Sequence, residues 1–264
     1  MLRNLKRFEG VLFMDLEKRQ NIKIVGDNTS AGGLFNNVSV VGNGIFNSSV
    51  DCVYIKVAGD CTINGDLKTV SGVVAGDINI KGSLSADIFK VAGNMTVDGD
   101  TSIKNLITHG NATIKGNISS EKIDANGYFT VEGNCNSETF KSKSIVMKLN
   151  GLLNADDIDI QIYGRSAVCE IGGEKIMIRG GSESIFKRLK LIKSMLSPHD
   201  MCKGNLTTDT IEGDEIYLEY TTAKVVRGKN VTIGEGCNIE LVEYVDNFNQ
   251  HNDSVVRESK KIIL

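Results

Sequence analysis

A glycine recurs at every seventeenth position along the middle of this 264-residue chain. One series is Gly42, Gly59, Gly76, Gly93, Gly110 and Gly127, and a second is Gly65, Gly82, Gly99, Gly116 and Gly133. In the first series the next residue is Asp or Asn at every position except Tyr128. Glycine beside Asp or Asn is typical of corners that need a left-handed backbone. A constant period indicates a repeat architecture, in which each unit stacks on its neighbours.

The apolar residues keep the same period. Five columns start at Ile55, Val57, Cys61, Ile63 and Leu67 and continue with the same step as the glycines. The third column is predicted to end at Val146 and the fifth at Leu152. Residues two apart are the inward residues of one short strand. Steps of 6, 6 and 5 between strand starts close each coil, which predicts an all-β, three-faced β-helix of 17-residue coils.

The repeat pattern divides the chain into segments. Residues 15–181 are predicted to form the β-helix, 206–245 are predicted to add further coils, and 246–264 are predicted to be a polar tail. Residues 1–14 do not join the repeat. They are either an amphipathic leader or an untranslated segment, because codons for Glu9 and Gly10 can spell a ribosome-binding sequence before Met14. The true start is thus Met1 or Met14.

Residues 182–205 are predicted to be an amphipathic α-helix and a connector. Apolar residues lie at helical spacing, and most of the basic residues, Lys187, Arg188, Lys190 and Lys193, lie elsewhere on the helix. Pro198 is predicted to end it. One interpretation is a helix packed on the flank or end of the solenoid. The alternative is a basic segment that contacts a membrane surface or a partner protein.

Charge and cysteine usage exclude several classes of protein. The net charge is −3 and the isoelectric point is about 5.7, so nothing favours nucleic acid as a partner. The six cysteines form no Cys-x-x-Cys pair and no Cys/His cluster, which argues against a zinc site and a disulfide framework. The expected location is the cytoplasm, with association at the inner face of the membrane if the helix binds lipid.

No catalytic site is predicted. The segment 233–239 is similar to a repeat of hexapeptide acyltransferases, but His109, His199 and His251 are all distant from it in sequence, so the required base is missing. His109 replaces an alanine of the repeat at a corner and is expected to face solvent. The ladder of Asp and Asn residues is expected to bond neighbouring backbone rather than calcium, and neither a cofactor nor a metal is expected.

The repeats resemble those of bactofilins, which are polymer-forming bacterial cytoskeletal proteins. The resemblance covers roughly residues 38–152 and is carried by Val-Ala-Gly-Asp/Asn at 57–60, 74–77 and 91–94, each continued by alternating apolar residues. It implies a right-handed β-helix and nucleotide-independent filaments that support cell shape, envelope or motility structures. This chain departs from the family in its longer solenoid, its interrupting helix and its lack of proline-rich flanks.

Three functions are compatible with the sequence. A self-assembling scaffold whose partner is the chain itself is preferred over a non-polymerising binding scaffold, and both over an enzyme. Envelope or motility proteins are further candidate partners. An uncapped solenoid end exposes unpaired strand edges, which are a template for adding another chain. The predicted assembly surface is the N-terminal coil, with Leu34, Phe35, Val38 and Val40 as its residues.

Overall fold

The computed structural model describes residues 19–181 and 204–263. These residues form 13 strands in one parallel sheet, in which each strand pairs with the strands before and after it in the chain. No helix occurs in these two ranges, and the predicted helix with its four basic residues lies outside them, as does the segment 1–14. The prediction of an all-β parallel solenoid is confirmed. The strands are β1 (Gln20–Ser30), β2 (Gly33–Phe46), β3 (Val50–Ile63), β4 (Leu67–Ile80), β5 (Leu84–Val97), β6 (Thr101–Ile114), β7 (Ile118–Val131), β8 (Cys135–Ile162), β9 (Arg165–Gly180), β10 (Asn205–Leu218), β11 (Thr221–Ile233), β12 (Asn238–Gln250) and β13 (Val255–Lys261).

The register of the central strands follows the sequence period. Val50 of β3 pairs with Leu67 of β4, and this offset holds without a shift from β2 to the first half of β8. Each pairing contributes backbone hydrogen bonds between coils that are too small to bury their apolar residues alone. The continuous register therefore makes one shared core of coils that could not fold singly.

Three inward pairs per coil form this core. In β3 they are Val50 and Cys52, Ile55 and Val57, and Cys61 and Ile63, all nearly inaccessible to solvent. The predicted columns account for five of these six positions. The sixth, which contains Cys52, Thr69, Ala86 and Ile103, was missed because its residues are chemically mixed. Three inward pairs per coil agree with the predicted strand steps.

The two glycine series serve different purposes. Gly42 to Gly127 all have positive φ, between 107° and 148°. A Cβ at Gly76 would lie 2.2 Å from the carbonyl oxygen of Gly59, so the corner also has no room for a side chain. No glycine of the second series has a positive φ. Glycine is needed there only because atoms of the preceding coil lie close to the place of a Cβ, as at Gly82, where a Cβ would lie 2.2 Å from Asp66 Oδ1.

One inward position is occupied by glycine because a large side chain in the next coil fills the space beside it. Gly72 occupies the column of Ile55 and Phe89, and a Cβ there would lie 2.2 Å from the Phe89 ring. The Phe89 side chain is fully buried and fills the space that Gly72 leaves. The small residue and the large one are thus complementary at this point of the column, which keeps the narrow interior close-packed.

The last residues of two columns were predicted wrongly. The register shifts between Gly127 and Tyr128 because Ile145 is an extra residue in β8. Met147 and Leu153 are therefore the buried residues at the positions predicted for Val146 and Leu152, which are only half-buried.

The sheet continues past the segment between β9 and β10. Ile171 pairs with Ile211 as if the intervening chain were absent. β10 and β11 then stack at a shorter offset, with Leu206 opposite Thr221, and the offset returns to that of the central coils within β12, where Asn230 is opposite Asn247. The prediction of a polar tail from residue 246 is wrong for most of its length. β12 extends to Gln250 and β13 pairs with it, because Phe248 and Val256 continue inward positions within an otherwise polar sequence.

Candidate assembly surfaces

The N-terminal rim comprises β1 and the first residues of β2, Gly33–Phe35. β1 pairs only with β2 among the residues that the structure describes. Ile22 and Ile24 continue the inward column above Val38 and Val40, and Ile24 is buried whereas Ile22 is half-buried. The core therefore reaches this end of the solenoid without a full apolar cover from the described residues.

The four predicted assembly residues do not form one surface. Val38 and Val40 are 1% and 0% exposed, because β1 covers them on one side and β3 on the other. Their assignment to an exposed edge is wrong, since the edge strand is β1 and not β2. Leu34 is 48% exposed, and Phe35 is half-buried with its ring 6.2 Å from that of Phe46.

Arg19 partly covers the strand edge beside these two residues. Its guanidinium donates to the carbonyl oxygens of Phe35 at 3.2 Å and Asp51 at 3.0 Å, and it forms an ion pair with the Asp51 carboxylate at 2.8 Å. Gln20 of β1 also pairs with Phe35, so the described chain already covers this part of the edge.

The C-terminal rim comprises the end of β12, residues 246–250, and β13. β13 pairs only with β12 within the described ranges. Phe248 and Val256 are half-buried, and the Phe248 ring stacks on Tyr244 at 5.4 Å between centroids. β13 is short and carries Arg257, Glu258, Lys260 and Lys261, and short charged edge strands discourage indiscriminate pairing.

The two rims share one property. In the part of the chain that the structure describes, the hydrophobic residues that pack on the core while remaining only partly buried lie in the first or last coils: Ile22, Phe35, Tyr244, Phe248 and Val256. In the intervening coils the inward apolar residues are buried by coils on both sides. The apolar surface that is left incompletely covered is thus concentrated at the ends of the solenoid.

The sides of the solenoid carry ladders of polar residues. Asp100 Oδ1 accepts from the backbone N–H of Asn117 at 2.8 Å, and Asn117 Oδ1 accepts from Asn134 N–H at 2.9 Å. Ion pairs also bridge successive coils, as between Lys104 and Asp87 at 2.9 Å. The expectation that corner acids bond neighbouring backbone is confirmed for Asp66 and Asp100.

Two shallow grooves run along these sides. One, of 470 Å³, lies near the C-terminal coils, and there Arg227 bridges Glu212 at 3.4 Å and Glu243 at 2.7 Å. The other, of 440 Å³, lies near the N-terminal coils and is lined by the Lys104–Asp87 pair and the exposed Val70. Most of their charged groups form ion pairs across the coils: Arg227 with Glu212 and Lys229 with Asp214 in the first groove, and Arg19 with Asp51 and Lys104 with Asp87 in the second.

Of the cysteines that the structure describes, Cys52, Cys61, Cys135 and Cys237 are buried in the core and Cys169 is exposed. Burial raises the pKa of Cys61 to about 12 and that of Cys237 to about 11, so both thiols are protonated at neutral pH. His109 is exposed at its corner and lies 3.4 Å from the Asn126 amide. Within 19–181 and 204–263, no group of three His, Cys, Asp or Glu side chains is placed to hold a metal ion. The same ranges hold no helix long and apolar enough to cross a bilayer.

The chain is similar to two proteins of Bacillus subtilis strain 168. It is 39% identical over 113 residues to the uncharacterized protein YhbF and 38% identical over 118 residues to the uncharacterized protein YhbE. These matches cover 42% and 44% of this chain, and 42% and 45% of the relatives. The chain thus spans less than half the length of the curated relatives it matches. No family model and no solved structure matches it.

Proposed function

We propose that this protein is a structural scaffold that assembles with copies of itself, end to end and without nucleotide. The observation that carries the proposal is the state of the two rims, where the core continues into half-buried side chains and the terminal strands pair on one side only among the residues that the structure describes. The proposal includes the right-handed, three-faced form of the coil and the kinship with bactofilins that the repeats resemble. Its setting would be the cytoplasm or the inner face of the envelope.

The driving forces are those that hold the coils together. An added coil buries apolar side chains, at roughly 25 cal/mol per Å² of apolar surface, and pairs the strand edge. Ile22 and Phe35 at one rim and Phe248 and Val256 at the other supply this surface. Ordering two molecules has a cost, so only the surplus contributes to association.

The sides of the solenoid support a scaffold rather than a catalyst. Their charged residues pair between successive coils, as Lys229 does with Asp214 at 2.7 Å, and such exposed pairs each contribute about 0–1 kcal/mol. A catalytic cleft would instead bring titratable groups to one point with shifted pKa values. A non-polymerising scaffold would bind its partners on the same sides of the solenoid, and both of its rims would be covered so that no second copy could add.

A charged variant of the N-terminal rim tests the proposal. We expect Ile22→Lys/Phe35→Lys to reduce the assembled fraction at least tenfold, because an ammonium group then replaces each of two inward apolar side chains of this rim. Light scattering across a concentration series measures it. The matched control is Val53→Lys/Val70→Lys, which charges two exposed apolar residues on the side of the solenoid and should assemble normally. Equal assembly of both variants would contradict an end-to-end contact.

A further inference from the structure

One face of the solenoid departs from the charge pairing of the other sides. It is formed by the outward residues on either side of Lys56 in β3 and by their partners in the neighbouring strands, and we call it the lysine face. Strand pairing fixes its middle row from β1 to β6, which consists of Lys23, Ser39, Lys56, Val73, Lys90 and Ile107. Lysine thus recurs at every second coil, at intervals of about 9.6 Å.

The three lysines of this row are exposed and lack partners of opposite charge. Within 19–181 and 204–263, none of them takes part in an ion pair. On the other sides of the same coils, Lys104 pairs with Asp87 at 2.9 Å and Lys115 with Asp98 at 2.8 Å. The lysine face therefore presents positive charge that the described chain does not neutralise.

An apolar row runs beside the lysines. It consists of Val25, Val41, Ala58, Ala75 and Ala92. All five side chains are exposed, and Val25 and Val41 are 64% and 45% exposed. Ile88, on the opposite side of the lysine row, is 41% exposed. From β1 to β6 no outward residue of this face is acidic. The face thus combines unneutralised positive charge with an apolar strip about 19 Å long.

The lysine face is narrow. Asp27, Asp60 and Asp77 are exposed at the adjoining corner, two residues after members of the apolar row. A flat anionic bilayer would meet these three carboxylates together with the three lysines, so attraction and repulsion would largely offset each other. A ligand about 10 Å wide, the diameter of one helix, can cover the lysine row and the apolar row without reaching the corner acids.

The backbone of this face favours a helical ligand over an extended one. β2 to β5 are paired on both sides, so the face offers no free N–H or C=O group to an incoming strand. A helix satisfies its own backbone groups. Carboxylates seven residues apart on a helix are separated by about 10.5 Å, close to the interval between the lysines. Apolar residues three or four positions apart are likewise close to the spacing of the apolar row.

We propose that the lysine face binds an acidic amphipathic α-helix of a partner protein, lying along the solenoid axis. The three lysines pair with carboxylates of that helix, and its apolar residues bury Val25, Val41 and the three alanines. The helix predicted for residues 182–205 of this chain is basic, so the partner is a different protein. Because the face lies on the side of the solenoid, binding requires no end-to-end assembly and is independent of the proposed function.

A synthetic peptide tests the proposal on the full chain. The peptide has about 15 residues, with glutamates seven positions apart, leucine three and four positions after each glutamate, and alanine or glutamine elsewhere. We expect Lys56→Glu/Lys90→Glu to weaken its binding at least tenfold at near-physiological salt, measured by fluorescence anisotropy of the labelled peptide. The control Lys68→Glu/Lys148→Glu makes the same charge change at two exposed lysines outside the face and should bind like the wild type.

Two outcomes of this titration would overturn the proposal. One is equal binding of the peptide by the wild type and Lys56→Glu/Lys90→Glu, and the other is no binding to the wild type at millimolar peptide. A peptide with proline at its centre, which breaks the helix, should bind at least tenfold more weakly than the parent peptide. Equal binding of these two peptides would overturn the helical ligand.

Vesicles of phosphatidylglycerol test a lipid surface as the alternative ligand. We expect the wild type and Lys56→Glu/Lys90→Glu to cosediment with these vesicles to the same extent, because the corner acids offset the lysines of the face. Loss of cosedimentation in this variant, with the Lys68→Glu/Lys148→Glu control unchanged, would assign the face to a membrane and overturn the proposal.

Discussion

Ile80→Lys should abolish the native fold of the central coils. Ile80 is 0% exposed and lies between Ile63 and Val97 in an inward column, so the ammonium group would have no partner and no route to water. Burial of an unpaired charge costs several kcal/mol, which is comparable with the whole stability of a typical domain. We expect loss of the cooperative unfolding transition in far-UV circular dichroism.

The neighbouring residue supplies the control. Asn79 points out of the sheet in the column of Thr62 and Thr96, so Asn79→Lys places the same charge where it reaches solvent. This variant should unfold within about 1 kcal/mol of the wild type. Wild-type stability of Ile80→Lys would mean that the inward and outward sets are exchanged.

Gly76→Ala should be strongly destabilising, although it adds only a methyl group at a corner. Its φ is +140°, a conformation that L-residues rarely adopt, and the new Cβ would lie 2.2 Å from the Gly59 carbonyl oxygen. Backbone strain of this kind costs about 1–3 kcal/mol, and relief of the contact requires the coils to separate. We expect a total loss on the order of 3–5 kcal/mol in chemical denaturation.

Gly33→Ala separates strain from the steric contact. Gly33 has a φ of +125°, but no atom lies within 4 Å of the position that a Cβ would take, because this glycine is in the first coil. The variant should therefore lose only the strain energy of about 1–3 kcal/mol. If the two alanine variants lose equal stability, close stacking of the corners does not contribute to the requirement for glycine.

The 17-residue repeat predicted the buried residues correctly in the columns whose members are all apolar. The column of Ile63, Ile80, Val97, Ile114 and Val131 is entirely buried, as expected from strand alternation at a fixed period. The register failed at one point, where Ile145 adds a residue to β8. A signal was available there, because Ser144 replaces the corner glycine and Gly151 stands one position later than the period from Gly133 requires.

The assembly surfaces were predicted less well than the core, because a rim differs from the interior only in lacking a neighbouring strand on one side. The alternation of apolar residues at Val38 and Val40 is the same whether their strand lies at the end of the solenoid or inside it. Only the pairing of β1 with β2 shows that these two residues belong to the core. β13 was overlooked because Arg257, Lys260 and Lys261 obscure the inward positions of a terminal coil. Periodicity therefore locates the interior of a solenoid better than its ends.

Sedimentation velocity of the wild-type full chain, followed by electron microscopy, tests end-to-end assembly most directly. The protein should be studied without nucleotide, at near-physiological salt and over a wide range of concentration. We expect species larger than the 28.6 kDa monomer that grow with concentration, and elongated particles that lengthen only along the solenoid axis. A single monomeric species at every concentration, including the highest, would contradict the account.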